Sequence, residues 1–258
     1  MKNSYKDNAW NTIFEKYKIS EHDFSKSPFY ITADEIKIAT KHLLNTSEKE
    51  PRILCYQTNR EARPKIFSEN NLFILSVKNG EYAIIEGEGY IDIPENKSKV
   101  KIYNSKLDFK LDTSLVGSSE MQHLDFAYAT SLIRTFLEDD SLVLTIRGRK
   151  FAAKVADIDF YIGKHLINVK GVQTEVDAGY EGRNQVVLIE AKNSKVTNTI
   201  IRQLFYPYRQ WQLHTEKQLK TLFFEKRDNF YSLWQFEFQN PNDYNSIILS
   251  KSQCYEII

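Results

Sequence analysis

Apolar and polar positions recur along the chain with a period that switches between helical and extended. Thr32-Ala33-Asp34-Glu35 reads as a helix start, and Ile36, Ala39, His42 and Leu43 then share one side of a helix to about Leu44. Arg63-Pro64 opens a second short helical stretch. Leu72 to Val77 and Tyr82 to Ile85 are apolar runs on either side of Lys78-Asn79-Gly80, and Asn-Gly is a strong hairpin signal. Ser119 and Gln122 fit a capping box, after which Met121, Leu124, Tyr128, Leu132 and Phe136 keep helical spacing up to Glu138-Asp139-Asp140. Strand-like runs follow at Leu142 to Ile146, Ala156 to Ile162, Leu166 to Asp177 and Gln185 to Ala191. A helix is predicted from about Thr197 to Glu216, then strands at Thr221 to Glu225, Leu233 to Phe238 and Ser246 to Leu249.

These elements predict an α+β chain in two parts. Lys97 to Asp112 is polar and lysine-rich, which places a boundary there and divides the chain into residues 1–105 and 106–258. The first part, helices followed by a hairpin, resembles a winged-helix module; a small α+β domain with no DNA role meets the same pattern.

Composition narrows the function classes. With 41% hydrophobic and 27% charged residues the chain can bury a core. Lysine plus arginine (35) nearly balances aspartate plus glutamate (34), so nucleic-acid binding would need a local patch rather than bulk charge. Apolar runs such as Val186-Val187-Leu188-Ile189 fall far short of the ~20 residues a membrane helix needs. The opening MKNSYKDNAW has no apolar signal core, so no membrane association and a cytoplasmic location are expected. Cys55 and Cys254 make neither a disulfide framework nor a zinc site. Phosphate-loop glycine motifs, an HExxH pair and a GxSxG elbow are all missing from the sequence.

One constellation carries chemistry. Asp177 is followed, after twelve residues, by Glu190-Ala191-Lys192 at the end of an apolar strand. Residues two apart on a strand face the same way, so Glu190 and Lys192 share a side. A hairpin turning at Glu181-Gly182-Arg183-Asn184 would bring Asp177 beside Glu190. Two carboxylates and an ammonium suit phosphodiester hydrolysis, in which Mg²⁺ is held by one or two carboxylates plus water and phosphate. Glu35-Ile36-Lys37 and Glu95-Asn96-Lys97 are the same triplet, but lie in a helix and a turn. A surface ion pair on an edge strand is the plainer reading of the third.

The pattern resembles the PD-(D/E)xK nuclease superfamily, type II restriction endonucleases most closely, with Val176 where the motif has proline. The resemblance covers residues ~115 to ~226 in the order helix, three strands, helix, strand. It implies a restriction-endonuclease-like core, a mixed β-sheet flanked by helices, with Asp177, Glu190 and Lys192 catalytic and Asp177 and Glu190 holding Mg²⁺. The implied activity is sequence-specific double-stranded DNA cleavage by a Mg²⁺-dependent type II enzyme, acting as a homodimer on palindromic sites. A repair or junction-resolving nuclease and a catalytically silent DNA-binding module are the competing readings. Glu120, Glu175 and Gln203 are candidate supporting residues. Candidate DNA contacts are Lys37 and Lys41 on the N-terminal helix, Arg147, Arg149 and Lys150 in a basic stretch, and Arg202, Tyr206 and Arg209 on the late helix. Residues 1–100 are expected to form a separate recognition domain.

Overall fold

The computed structural model describes residues 5–96, 100–151 and 157–258. Its first third contains α1 (Tyr5–Tyr17), β1 (Phe29–Thr32), α2 (Ala33–Thr40), α3 (Pro51–Leu54), α4 (Lys65–Glu69), β2 (Leu72–Lys78) and β3 (Glu81–Glu86). The capping box is present at α2: Glu35 N donates to Thr32 Oγ1 (3.2 Å) and Thr32 N to Glu35 Oε2 (2.7 Å). That helix stops at Thr40, short of the predicted Leu44, and His42 is exposed. Strands β2 and β3 flank Gly80, whose φ of 75° is the left-handed turn the Asn-Gly signal implies. The three strands form an antiparallel sheet in the order β1-β3-β2.

That small sheet is apolar on both faces, which explains the unbroken runs in its sequence. Leu72, Ile74, Tyr82 and Ile84 pack against α1, α2, α3 and α4, with Trp10, Phe14 and Phe67 at the centre. Phe73, Leu75, Val77, Ala83 and Ile85 point the other way and join a core built mainly by the rest of the chain. Residues 1–105 are therefore not packed as a detached module.

The remainder runs through β4 (Tyr90–Asp92), β5 (Lys101–Tyr103), α5 (Glu120–Ala129), α6 (Leu132–Leu137), β6 (Val143–Phe151), β7 (Ile158–Ile162), β8 (His165–Val169), β9 (Gln173–Glu181) and β10 (Gln185–Lys192). It ends with β11 (Asn198–Ile200), α7 (Arg202–Gln212), β12 (Gln218–Arg227), β13 (Phe230–Phe238) and β14 (Ile247–Ile257). Seven strands make one mixed sheet in the order β5-β14-β13-β12-β10-β9-β6, with β10 parallel to β12 and β14 parallel to β5. Helices α5 and α6 cover one face. On the other face α7, the β7–β8 hairpin and the small sheet share the central core. The expected α+β class with a mixed sheet between helices is what the chain adopts.

Several boundaries differ from the periodic reading. The predicted helix through Phe136 breaks after Ala129: Thr130 Oγ1 bonds back to Phe126 O (3.0 Å), and Ser131 takes a left-handed φ of 66°. Met121, expected inside, is exposed. The run Leu166 to Asp177 is cut at Gly171 (φ 61°), and its two parts enter different sheets. Thr197 does not begin a helix, because the next three residues pair with β4 as a strand. The late helix also ends at Gln212 rather than Glu216. The predicted linker contributes β5 to the sheet edge, and its residues 97–99 lie outside the described set, as does the predicted strand start at Ala156.

The two-faced sheet gives a stability prediction. Leu75→Ala should cost about 2–5 kcal/mol and lower the midpoint of a single unfolding transition read by denaturant titration. Two separated transitions would show that the N-terminal sheet folds independently of the main core.

Candidate functional site

The site forms where β9 and β10 part. Their antiparallel ladder runs from Glu181↔Val186 to Ala178↔Ile189, around the turn expected at residues 181–184. On its other side β9 slips against β6: Ile146 faces Gly179 but Gly148 faces Val176, so two steps on β6 match three on β9. Gly179 lets Ile146 come close, since a Cβ there would lie 2.6 Å from the isoleucine Cβ. Asp177 sits in this irregular stretch, just past the last rung toward β10. Its carboxylate does what a ladder carbonyl would do: Ala191 N donates to Asp177 Oδ2 at 2.7 Å.

On β10, Ala191 packs into the core beneath α5 and α6. Glu190 and Lys192 therefore share the opposite side, as strand parity requires. Glu190 is only 7% exposed. Its Oε1 accepts from Lys192 Nζ at 2.5 Å and from Gln203 Nε2 at 2.6 Å. Lys192 Nζ also donates to Ala191 O (2.9 Å). Asn193 Nδ2 donates to Ser118 O (2.9 Å), which ties the end of β10 to the start of α5 and to Glu120.

Burial dominates the electrostatics. It pushes the Glu190 carboxyl up to about 7, helped by the negative charges of Asp177 and Glu120 and opposed by Lys192. Asp177 is also raised, first by burial and then by Glu175, although the Ala191 amide and Lys192 pull it down. Burial works against the Lys192 charge, but Glu190, Asp177 and Glu120 overcome it and hold the ammonium above the ordinary lysine value. All six residues expected to act or assist there, Glu120, Glu175, Asp177, Glu190, Lys192 and Gln203, thus influence one another at one place.

The candidate DNA contacts are more scattered. Arg147 pairs with Asp125 and donates to Asp177 O (3.1 Å), so it braces the site from β6. The side chains of Arg149 and Lys150 lie outside the described residues. Arg202 is half-buried at the start of α7, its guanidinium 5.9 Å from the Tyr206 ring. Arg209 donates to Pro241 O and Asn242 Oδ1 and is held by that loop. Tyr206 is corrected outright: it is 2% exposed, with its hydroxyl donating to Ser76 O (3.0 Å), and presents no surface to DNA. The helical projection put it on the outer side, but α7 is covered on that side by β2. Lys37 pairs loosely with Asp34 on the exposed side of α2, and Lys41 follows it. The hairpin tip is docked, with Lys78 bridging Lys170 and paired with Glu81.

Sequence reasoning missed Thr199, whose Oγ1 donates to Gln203 Oε1 at 2.7 Å. Its local signal is a position four residues before Gln203, a spacing that fits a helix equally well, whereas the structure places Thr199 in a strand.

Residues 7–84 match a family model described as Domain of unknown function (DUF6996), and residues 85–256 match Domain of unknown function (DUF6997). The chain belongs to the DUF6997 family. No curated protein and no solved structure matches it. In this DUF6997 chain the site lies wholly within the segment that defines the family. Among the described residues, no helix is long and apolar enough to cross a membrane, and no three His, Cys, Asp or Glu side chains group as a metal site.

The raised Glu190 carboxyl gives a pH test. A carboxyl whose folded pKa lies above its unfolded value holds its proton more tightly when folded. Its stabilisation is complete below its ordinary value of 4.5 and is lost as pH rises through about 7. Asp177 acts in the same direction. Wild type should therefore lose stability relative to Glu190→Gln between about pH 5 and pH 8, measured by urea unfolding at both. An unchanged difference would mean that Glu190 is ionised throughout.

Proposed function

We propose that this chain is a Mg²⁺-dependent endonuclease that cuts double-stranded DNA at specific sites, of the type II restriction class. The observation that carries the reading is the convergence of Asp177, Glu190 and Lys192 at the parting of β9 and β10, with Lys192 Nζ 2.5 Å from Glu190 Oε1. A surface ion pair would be exposed and isolated. Here Glu190 is buried, Asp177 and Lys192 are half-buried, their charges are shared with Glu120, and the group is braced from α7 and β6. The order α5, then β6, β9 and β10, then α7 and β12 supports a restriction-endonuclease-like core, with β7–β8 as an insertion.

The residues fit a divalent cation. The described hydrogen bonds fall on Asp177 Oδ2 and Glu190 Oε1, so a cation would be taken by the second oxygen of each carboxylate. Two carboxylates suffice for Mg²⁺, which keeps several waters. When bound, the cation supplies charge stabilisation at the phosphate and an acidified water. Asp177 and Glu190 would hold it. Two of the three Lys192 donors are spent on Glu190 and Ala191 O, so the third can orient a water or a phosphate oxygen. A carboxyl with a pKa of about 7 must lose its proton before it can ligate, so cation binding should strengthen toward higher pH.

Specificity requires base contacts, which this site does not make. The helices and the β1-β3-β2 sheet of residues 1–105 support a winged-helix-like reader, with Lys37 and Lys41 on the free side of α2. A palindromic site would call for two copies.

Incubation of double-stranded plasmid with the protein and Mg²⁺ should yield discrete fragments, and chelation should stop it. Asp177→Ala, Glu190→Ala and Lys192→Ala should each lower the rate at least ~100-fold. Near-normal cutting by folded Asp177→Ala would overturn the assignment. Cutting confined to branched DNA would indicate a junction-resolving enzyme, and gel retardation without cutting a binding module.

A further inference from the structure

The hydrogen bonds that reach Glu190 do not end at Gln203. Gln203 Oε1 accepts from Thr199 Oγ1 (2.7 Å), on the short strand β11. That strand is gripped by the N-terminal part of the chain. It pairs with β4, Ile200 N donates to Thr58 O (2.8 Å), and Arg60 N donates to Asn198 Oδ1 (2.7 Å). Asn198 Nδ2 donates to both carboxylate oxygens of Glu61 (3.1 and 3.0 Å). Asn198 and Thr199 are 4% and 2% exposed, so on the β11 side these bonds are shielded from water.

We propose that Asn198 and Thr199 are positioning residues, through which segment 58–61 of the N-terminal part orients Gln203 against Glu190. The consequence for DNA cutting rests on the nuclease reading; the relay itself rests on these contacts.

The chemistry gives the relay a direction. A glutamine amide can present either its carbonyl or its NH₂ to a neighbour, and a carboxylate accepts only the NH₂. The Thr199 hydroxyl, by donating to the carbonyl oxygen, settles which end faces Glu190. As a β-branched residue in a paired strand, Thr199 has little rotamer freedom of its own. It therefore follows β11, and β11 follows its partners in β4 and segment 58–61. A displacement of that segment when the N-terminal part engages DNA would pass to Gln203, and so to the Glu190–Lys192 pair. Coupling of this kind lets cognate binding complete a site that is imperfect without it. The links cross between the two family regions, since segment 58–61 lies in residues 7–84 while Asn198, Thr199 and Gln203 lie in residues 85–256.

The test uses the full chain with ¹⁵N-labelled glutamine side chains, the Gln203 NH₂ signals being assigned by their loss in Gln203→Met. Thr199→Val removes the donor without changing shape, Thr199→Ser restores it, and Glu61→Ala acts on an exposed residue whose described partner is Asn198. The Gln203 NH₂ signals should move in Thr199→Val and in Glu61→Ala and stay in place in Thr199→Ser. The kcat for DNA cleavage should fall about 3- to 10-fold in the first two, the range for one hydrogen bond, with KM unchanged and with recovery in Thr199→Ser. Unmoved signals in Glu61→Ala would overturn the relay, as would a kcat that ignores Thr199→Val. If wild type cuts no DNA with Mg²⁺, the nuclease reading fails, and the NH₂ signals alone decide the relay.

Discussion

A carboxylate buried at the end of a strand must be matched by donors, and Glu190 imposes that requirement on everything around it. Lys192 and Gln203 supply the donors, from the same strand and from α7. Asp177 is drawn close by a separate need, the backbone amide of Ala191 beyond the last rung of the ladder. Both carboxyls are raised, chiefly by burial, and the negative charge of Asp177 adds to the rise at Glu190. A fold that keeps such an arrangement gains little stability from it, because a buried pair of like charges beside one ammonium is weaker than apolar packing. The raised carboxyls stand out in a sheet otherwise filled with valine, leucine and phenylalanine.

The small sheet holds the helix that carries one of those donors. With both faces covered, it stacks the N-terminal helices on one side and lends five apolar side chains to the central core on the other. Helix α7 is thereby held between two layers instead of lying on an open surface. Tyr206 reaches outward to Ser76 O, and Gln203, on the same helix, reaches inward to Glu190. The position of the donor to the buried acid depends on how firmly the helix is gripped from behind.

Much of the site could be read from the sequence because its determinants are local. The strand parity of residues 190 and 192, a turn at residues 181–184 and a helix start at Ser119 are short-range signals, and together they place Asp177, Glu190, Lys192 and Glu120 in one region. What could not be read depends on partners distant in sequence. A helical projection assumes one buried face, so it set Tyr206 outside when β2 covers it. Asn198 to Ile200 are a strand only because β4 lies alongside, and no local pattern announces that. The slip of β9 against β6 and the left-handed Ser131 are likewise decided by packing and backbone, to which apolar spacing is blind.

The division of the chain into two family regions has a physical peculiarity. Their shared border, between residues 84 and 85, falls inside β3, which runs Glu81–Glu86. Ile84 points into the N-terminal core and Ile85 into the central one, so adjacent side chains on one strand serve different cores. A strand cannot be cut there without taking hydrogen bonds from β2 and side chains from both layers. The regions are separable as patterns of sequence but share their packing, because a sheet buried on both faces belongs equally to what packs on either side. The contacts from segment 58–61 to β11 follow the same logic in the polar layer. Whatever the N-terminal part binds, its backbone already touches the strand that holds the donor to Glu190.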